Sequence, residues 1–301
     1  KAPVVWRLCD MWMFSRAVHY TSYACYVEDF SRQSRPSSES GPDIDRETFF
    51  RKKRHWRYPR HVICPSHWMA DQVRQSHLTK DWPVHVIPNP IDTEKWCPVP
   101  RPEARKKLGI PSRDLVVLFG AGGGTRDHHK GADLFFETLS RLQKLLEKRA
   151  DSRKLLGVVF GEDGVERLEA GVPIRFLGRL DDEQLRLAYS AANVMVVPSR
   201  LDNLPSTATE AQACGTPVAA FGVGGLPDLI DDSVTGKLAE PFNTEELSKA
   251  VAWMTETNAR EKELGRAARK RAETLWSPKV VAEKYLNVVL GAASGTVQRS
   301  C

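Results

Sequence analysis

The chain has 301 residues, of which 41% are hydrophobic and 27% charged, and its formal net charge at pH 7 is +6. This length is typical of about two domains, and the ordinary composition excludes collagen-like, coiled-coil and wholly disordered proteins. No apolar run approaches the roughly 20 residues of a transmembrane helix, which excludes an integral membrane protein. The mild positive charge allows an anionic partner such as a nucleotide.

In chain order, the region 1–96 comes first and holds three short apolar runs that predict strands, at 4–8, 61–64 and 84–87. The first run begins almost at once, so the chain opens on what looks like a buried strand. The next segment contains three prolines, Pro98, Pro100 and Pro102. Prolines at this density favour a stiff connection, and we interpret 97–112 as an inter-domain linker.

The region 113–276 alternates strand and helix patterns. Continuous apolar runs predict strands at 115–119, 156–160, 174–177, 194–197 and 218–221. Helical patterns lie between them, including an apolar stripe of Phe135, Leu139, Leu142 and Leu146. Strands that are apolar on both faces indicate a parallel sheet covered by helices on both sides. Ligands bind such sheets at the carboxyl ends of the strands. A last helix, 279–290, and a Gly/Ser tail complete a segment that we place at 277–301.

The most informative stretch follows the strand at 194–197, where a loop leads into a helix that we predict from about Thr207 to Cys214. Asp202 lies in the loop, and Glu210 follows eight residues later in the first helical turn. Between them, the free backbone N–H groups of Ser206 and Thr207 form an anion site. Carboxylates accept hydrogen bonds from sugar hydroxyls, so the combination favours a sugar nucleotide.

Two patterns here also have plain structural interpretations. Thr207-x-x-Glu210 is a capping box, in which the carboxylate reaches back to the N-cap N–H group. The glycines of 120–124 are typical of a turn between a strand and a helix, although glycine also lets backbone approach a ligand closely. No Walker lysine follows them.

The run 51–60 contains basic residues and no acidic one. It predicts either a solvated helix face or peripheral contact with an anionic membrane. Nucleic-acid binding is a third interpretation, but no RNA or DNA motif supports it, and we expect no nucleic-acid partner.

Several motifs in one order carry a resemblance to a known family. The spacing from Asp202 to Glu210, with the run 211–218 after it, resembles the E-x7-E signature of retaining glycosyltransferases of family 4, which have the GT-B fold. The other matching segments are Ile87–Asp92, Lys130-Gly131, Phe176–Gly178, Tyr189–Ala192 and Gly224–Asp228. The Asp-Asn-Leu-Pro variant at 202–205 and Asp10-Met11-Trp12 are similar to a subgroup that builds exopolysaccharides of the colanic-acid type.

The resemblance implies an α/β fold with two Rossmann-like parallel-sheet domains facing a cleft. The N-terminal domain, on the acceptor side, would be incomplete, because 4–8 matches one of its late strands. The C-terminal domain would bind the nucleotide sugar, and the last helix would return to the N-terminal domain. The implied activity is transfer of a hexose from a UDP- or GDP-type sugar to a glycan or lipid-linked acceptor, with retention and without metal or other cofactor. We expect this enzyme in the cytoplasm, including the inner face of the membrane.

Carried over by residue, the resemblance implies that Glu210 holds the ribose hydroxyls of the donor. Asp202 stands where the family usually has Glu, and it would contact hydroxyls of the transferred sugar. Lys130 would neutralise the diphosphate, with Arg126 as a candidate second cation. These are the predicted catalytic and donor-binding groups, together with Gly122, Gly123, Asn203, Leu204, Ser206 and Thr207.

The acceptor side departs from the family. Cys9 stands where a histidine commonly precedes Asp10, and a thiol cannot replace the hydrogen bonding of an imidazole. His19 is the candidate to compensate, while a buried structural thiol is the plain interpretation of Cys9. This departure keeps a second hypothesis open, a nucleotide-sugar-binding remnant with little or no catalysis. A basic interaction protein is the third hypothesis.

Overall fold

The computed structural model describes residues 4–21, 26–27, 35, 40–122, 124–149 and 151–294. The described chain divides into two compact units. One contains the residues up to Asn89 together with those from Lys279 onward, and the other runs from Pro90 to Pro278.

The first unit has a sheet of three parallel strands, in the order β1-β2-β3. Its elements are β1 (Val5–Arg7), α1 (Ile44–His55), β2 (His61–Cys64), α2 (His67–Gln75) and β3 (Val84–Val86). Helix α1 begins where the Asp43 side chain accepts a hydrogen bond from the Arg46 N–H, as N-cap residues do. Its Phe49 is fully buried in the core of this unit.

One lysine of the basic run is not solvated. Lys52 is only 4% exposed, and its ammonium lies 4.2 Å from the centroid of the Trp12 ring. The Nζ also donates to the carbonyl oxygen of Arg16 at 2.9 Å. Burial lowers the pKa of Lys52 to about 8. Lys52 therefore belongs to the interior, whereas Arg51, Lys53 and Arg54 are exposed.

The second unit is built on a seven-stranded sheet in the order β10-β9-β8-β4-β5-β7-β6, parallel except for the pair of β6 and β7. Its strands are β4 (Leu115–Gly120), β5 (Leu155–Phe160), β6 (Arg167–Glu169), β7 (Val172–Phe176), β8 (Val194–Val197), β9 (Val218–Phe221) and β10 (Gly236–Ala239). Its helices are α3 (Arg101–Lys107), α4 (Ala132–Lys148), α5 (Asp182–Ala191), α6 (Ser206–Ala213), α7 (Leu226–Leu229), α8 (Thr244–Met254) and α9 (Asn258–Leu275).

Alternate residues of the central strands enter two separate cores. Val116 and Leu118 pack into one cluster, while Val117 and Phe119 pack into the other. This is the arrangement of a parallel sheet covered on both faces. The sequence did not predict β6 and β10, which lie at the two edges of the sheet. Edge strands bury less apolar surface, so their sequences lack the continuous apolar runs of the central strands.

The segment 97–112, which we predicted as a linker, belongs to the second unit and contains α3. The reason is Arg105, whose buried guanidinium donates to the carbonyl oxygens of Ala191, Ser112 and Asp114 at 2.8–3.0 Å. Ala104 and Ile110 are also buried in the core. The prolines therefore precede a packed helix instead of a free connection.

The last helix, α10 (Pro278–Ser294), packs in the first unit. Its Val281 is buried against Ile63 of β2 and Ile87, which follows β3. The predicted tail, 295–301, lies outside the described residues. Within the described ranges, none of the helices has the length and apolar character needed to cross a membrane.

Candidate functional site

The predicted lysine and the first predicted carboxylate form an ion pair. Strands β4 and β8 are neighbours in the sheet, so the loops at their carboxyl ends lie side by side. Lys130 ends a short 3₁₀ turn after β4, and Asp202 lies in the loop after β8. The Lys130 Nζ is 2.6 Å from the Asp202 Oδ2, and the two side chains are 32% and 8% exposed.

A small pocket of about 100 Å³ adjoins this pair. Several predicted donor-binding residues line it: Gly122, Lys130, Asp202, Ser206 and Thr207. Small-molecule sites usually have about 300–1,000 Å³, so this pocket accommodates only a part of a sugar nucleotide. Because Ser206 and Thr207 begin α6, their N–H groups favour the anionic part of a ligand.

Two glycines allow these loops to approach one another. Gly131 has φ 72°, and a Cβ there would lie 2.1 Å from the carbonyl oxygen of Pro198. Gly224 has φ 56°, and a Cβ there would lie 2.0 Å from the carbonyl oxygen of Asp202. Only glycine tolerates both the left-handed backbone and this contact. The positions of Lys130 and Asp202 therefore depend on these two glycines.

Glu210 lies one turn into α6 and is held by a buried tyrosine. The Tyr189 hydroxyl donates to the Glu210 Oε2 at 2.7 Å. Burial raises the pKa of Glu210 above its usual value and also raises the pKa of Tyr189. Tyr189 had appeared only within a family motif, and its contact with Glu210 was not predicted, because it comes from α5 and reaches Glu210 through packing.

The predicted capping box is wrong. Helix α6 begins at Ser206 with Pro205 at its N-cap, where no side-chain cap is present. Thr207 is therefore inside the first turn and cannot act as the N-cap residue. Glu210 therefore does not cap the helix, and its carboxylate is held by hydrogen bonds from Tyr189 and Ser206.

Two further charges lie near Glu210. The Lys95 Nζ is 2.5 Å from the Asp182 Oδ2. The charge of Lys95 lowers the pKa of Glu210 and the charge of Asp182 raises it, both less than burial does. Neither residue was predicted as a site residue, because Lys95 lies within 1–96, outside the predicted donor-binding domain.

The remaining residues that we predicted on the donor side differ in their exposure. Leu204 is buried in the core and Asn203 is also buried, and the lining of the pocket includes neither residue. Arg126 is exposed, and Gly123 lies outside the described residues. A residue absent from our prediction, Glu162, accepts a hydrogen bond from the Thr125 N–H at 2.7 Å. The Thr125 hydrogen bonds lower the pKa of Glu162.

The acceptor-side predictions all lie in the first unit. The His19 Nδ1 is 2.6 Å from the Asp10 Oδ2, and the imidazole is 77% exposed. Cys9 is exposed, which contradicts the interpretation of a buried structural thiol. His19 and Asp10 thus form one group beside Cys9. Among the residues that the structure describes, no cluster of three or more His, Cys, Asp or Glu side chains is arranged to hold a metal.

Solved structures establish the fold class, which is GT-B. The chain superposes on sucrose-phosphate synthase from Thermosynechococcus elongatus with a TM-score of 0.67 and 26% identity, covering 86% of this chain and 64% of the other. It superposes on HepE from Anabaena, solved with UDP and glucose, with a TM-score of 0.70 and 17% identity, covering 96% and 71%.

Within this class, the chain belongs to the family of glycosyl transferases group 1, whose model matches residues 100–271. The model described as Glycosyltransferase Family 4 matches residues 30–95. A D-inositol 3-phosphate glycosyltransferase from Nocardiopsis dassonvillei is 33% identical over 69% of this chain and 51% of its own length. A second, from Catenulispora acidiphila, is 30% identical over 75% and 56%. The chain thus spans about half the length of these curated relatives.

Proposed function

We propose that the chain transfers a hexose from a nucleoside-diphosphate sugar to an acceptor hydroxyl, with retention at the anomeric carbon. The observation that carries this proposal is the ion pair of Lys130 and Asp202 beside the N-terminus of α6, with Glu210 one turn further on. A cation for the diphosphate and one carboxylate for a sugar hydroxyl line the pocket at the carboxyl edge of the sheet. The second carboxylate, Glu210, lies further along α6. HepE, solved with UDP-glucose, makes a UDP-sugar the first donor to test, ahead of GDP-sugars.

Lys130 supports departure of the leaving group. When the bond between the anomeric carbon and the diphosphate oxygen breaks, its electron pair stays on that oxygen. The Lys130 ammonium and the N–H groups of Ser206 and Thr207 stabilise the negative charge that develops there. These groups supply the role that a metal ion has in other transferases, so we propose a metal-independent reaction.

The two carboxylates have different tasks in the proposal. Glu210 accepts hydrogen bonds from the ribose hydroxyls of the donor, while Tyr189 keeps one of its oxygens in place. Asp202 contacts a hydroxyl of the transferred sugar. Asp is one methylene shorter than the Glu of the family pattern, but the pairing of Asp202 with Lys130 keeps it at the pocket.

We propose a glycan or lipid-linked acceptor, as in exopolysaccharide synthesis. The names of the curated relatives favour a second candidate, an inositol phosphate. For a lipid-linked acceptor, the exposed residues Arg51, Lys53, Arg54 and Arg57 would contact anionic lipid at the cytoplasmic face of the membrane. Co-sedimentation with vesicles of anionic and of neutral lipid tests this contact. Equal binding to both vesicles, or none, excludes it.

The decisive experiment combines binding and turnover. Titration calorimetry with UDP, UDP-glucose and GDP-mannose identifies the donor, and NMR of the product with glycan and inositol-phosphate acceptors reports the anomeric configuration. We expect retention and unchanged turnover in EDTA. Binding without turnover on any acceptor favours the alternative, a nucleotide-sugar-binding remnant. Absence of binding to all three ligands overturns both.

A further inference from the structure

We infer that Arg200 is a positioning residue that holds Lys130 in place for the donor diphosphate. This inference rests on the proposed function. Arg200 lies between β8 and Asp202, and it was not among the residues that the sequence singled out. Its side chain and backbone form hydrogen bonds with residues on both sides of Lys130.

The contacts on the amino-terminal side of Lys130 are to backbone. The Arg200 N–H donates to the carbonyl oxygen of His129 at 2.8 Å, and the Arg200 Nη1 donates to the carbonyl oxygen of His128 at 3.0 Å. Both carbonyls belong to the 3₁₀ turn that ends at Lys130. The turn is thereby attached to the loop that carries Asp202.

The contacts on the carboxyl-terminal side are to Asp133, in the first turn of α4. The Arg200 Nη1 and Nη2 donate to the two carboxylate oxygens of Asp133 at 2.8 and 2.6 Å. This bidentate geometry is specific to a guanidinium. It lowers the pKa of Asp133 and raises that of Arg200, so the pair is ionised at neutral pH.

These contacts fix the backbone at 128–129 and at 133, and Gly131 packs on the carbonyl oxygen of Pro198 between them. Lys130 is therefore confined within the six-residue segment 128–133, whose two ends are bound to Arg200. Without the guanidinium, the backbone N–H of residue 200 would still bind His129, but the other two attachments would be lost. The Lys130 ammonium would then spend less time at the phosphate position.

The test is a double-mutant cycle of Arg200→Gln and Lys130→Met, with the affinity for UDP measured by calorimetry. A charge-assisted hydrogen bond is worth about 1.5–3 kcal/mol, so we expect Lys130→Met to weaken UDP binding about 10- to 100-fold. We expect Arg200→Gln to weaken it about 10-fold alone, and less than about 2-fold in the Lys130→Met background, because residues that act through one another are not additive. Arg200→Lys, which keeps the charge but not the fork, should restore only part of the affinity.

Arg153→Gln is a matched control. Arg153 also forms a bidentate pair, with Asp151, and donates to the carbonyl oxygen of Thr255 at 2.9 Å. Its side chain is 25% exposed against 23% for Arg200, but it precedes β5, at the amino ends of the strands. We expect a similar loss of melting temperature and unchanged UDP affinity.

The possible results distinguish a failure of the role of Arg200 from a failure of the proposed donor binding. If Arg200→Gln behaves like Arg153→Gln, or if its effect adds fully to that of Lys130→Met, Arg200 does not act through Lys130 and the inference is wrong. If Lys130→Met itself leaves UDP affinity unchanged, the proposed role of Lys130 fails. If the unmodified chain binds no UDP, the donor assignment fails, and the inference with it.

Discussion

Each of the two units contains a contact of 2.6 Å between a basic side chain and a carboxylate, and the two pairs differ in almost everything else. In the second unit, Lys130 and Asp202 are 32% and 8% exposed and adjoin a pocket. In the first unit, His19 and Asp10 are 77% and 29% exposed. The two distances are equal, but the exposure of the side chains differs. This difference in exposure determines how much each pair contributes to stability. A buried partner is costly to leave alone, whereas an exposed pair contributes little.

The two pairs also differ in how the surrounding chain holds them. The donor-side loops follow buried parallel strands and are bound to each other by Arg200 and by glycines. Asp10 and His19 lie in an irregular segment after β1, where the Met11 N–H donates to the carbonyl oxygen of His19. We therefore expect mutations on the donor side to have the larger effects.

The largest effect should come from Lys130→Met. Loss of one group that stabilises developing negative charge costs about 10²- to 10³-fold in kcat. It also leaves Asp202 buried without a counter-charge, which destabilises the fold by about 3 kcal/mol. Transfer assays and urea unfolding measure the two effects. Turnover within threefold of the unmodified chain would contradict the role of Lys130.

Asp202→Asn should affect binding of the transferred sugar and leave binding of the nucleotide almost unchanged. Because the assigned contact of Asp202 is with the sugar, we expect UDP affinity to stay within about 2-fold. The additional affinity of the UDP-sugar over UDP should fall by about 10-fold, as a hydrogen bond to a charged group is lost. Calorimetry with both ligands measures this difference. Equal weakening of UDP and UDP-sugar binding would instead show that Asp202 acts through its partner Lys130 at the diphosphate.

The pH dependence of donor affinity should come from Glu210. Burial raises the pKa of Glu210 above 4.5, and the proposed contact with ribose needs the ionised form. UDP affinity should therefore weaken as pH falls through the raised pKa, and Glu210→Gln should remove this dependence. The same shift makes the folded state bind its proton more tightly than the unfolded state. Its contribution to stability is thus full below pH 4.5 and is lost as pH rises through the raised pKa. A pH profile of UDP affinity identical in Glu210→Gln would assign the dependence to another group.

The smallest effect should come from His19→Gln in the exposed pair. We expect the free energy of unfolding to change by less than about 0.5 kcal/mol, measured in urea at low salt. A loss close to that of Lys130→Met would show that exposure does not distinguish the two pairs.

Much of the second unit could be predicted from its sequence, because a strand buried on both faces must be apolar at every position. Residues 115–119 and 194–197 follow this rule. The loop of Asp202 followed from the strand pattern, whereas Lys130 was predicted from the family resemblance. Their separation could not be predicted, since it depends on Gly131 and Gly224 contacting carbonyls far away in the chain.

The errors have equally local causes. Proline density suggested a linker at 97–112, but Arg105 donates to the carbonyl oxygens of Ala191 and Asp114, outside this stretch, and fixes it in the core. The pattern Thr207-x-x-Glu210 suggested a cap, but α6 starts one residue earlier. The side chain of Lys52 fits between aromatic rings, which a charge count does not reveal. For Arg105 and Lys52, a contact distant in sequence outweighed a local pattern.

The packing of α10 on β2 and β3 has a consequence for biosynthesis. The first unit contains the start of the described chain but also needs Val281 to cover Ile63 and Ile87. Domains fold as units during synthesis, usually from the N-terminus. In the first unit, however, Ile63 and Ile87 stay uncovered until α10 leaves the ribosome. The second unit, translated entirely before α10, can finish first. The second unit is thus completed before the first, although the first begins earlier in translation. A chain that stops before α10 keeps its donor-side loops but leaves Ile63 and Ile87 of the first unit uncovered.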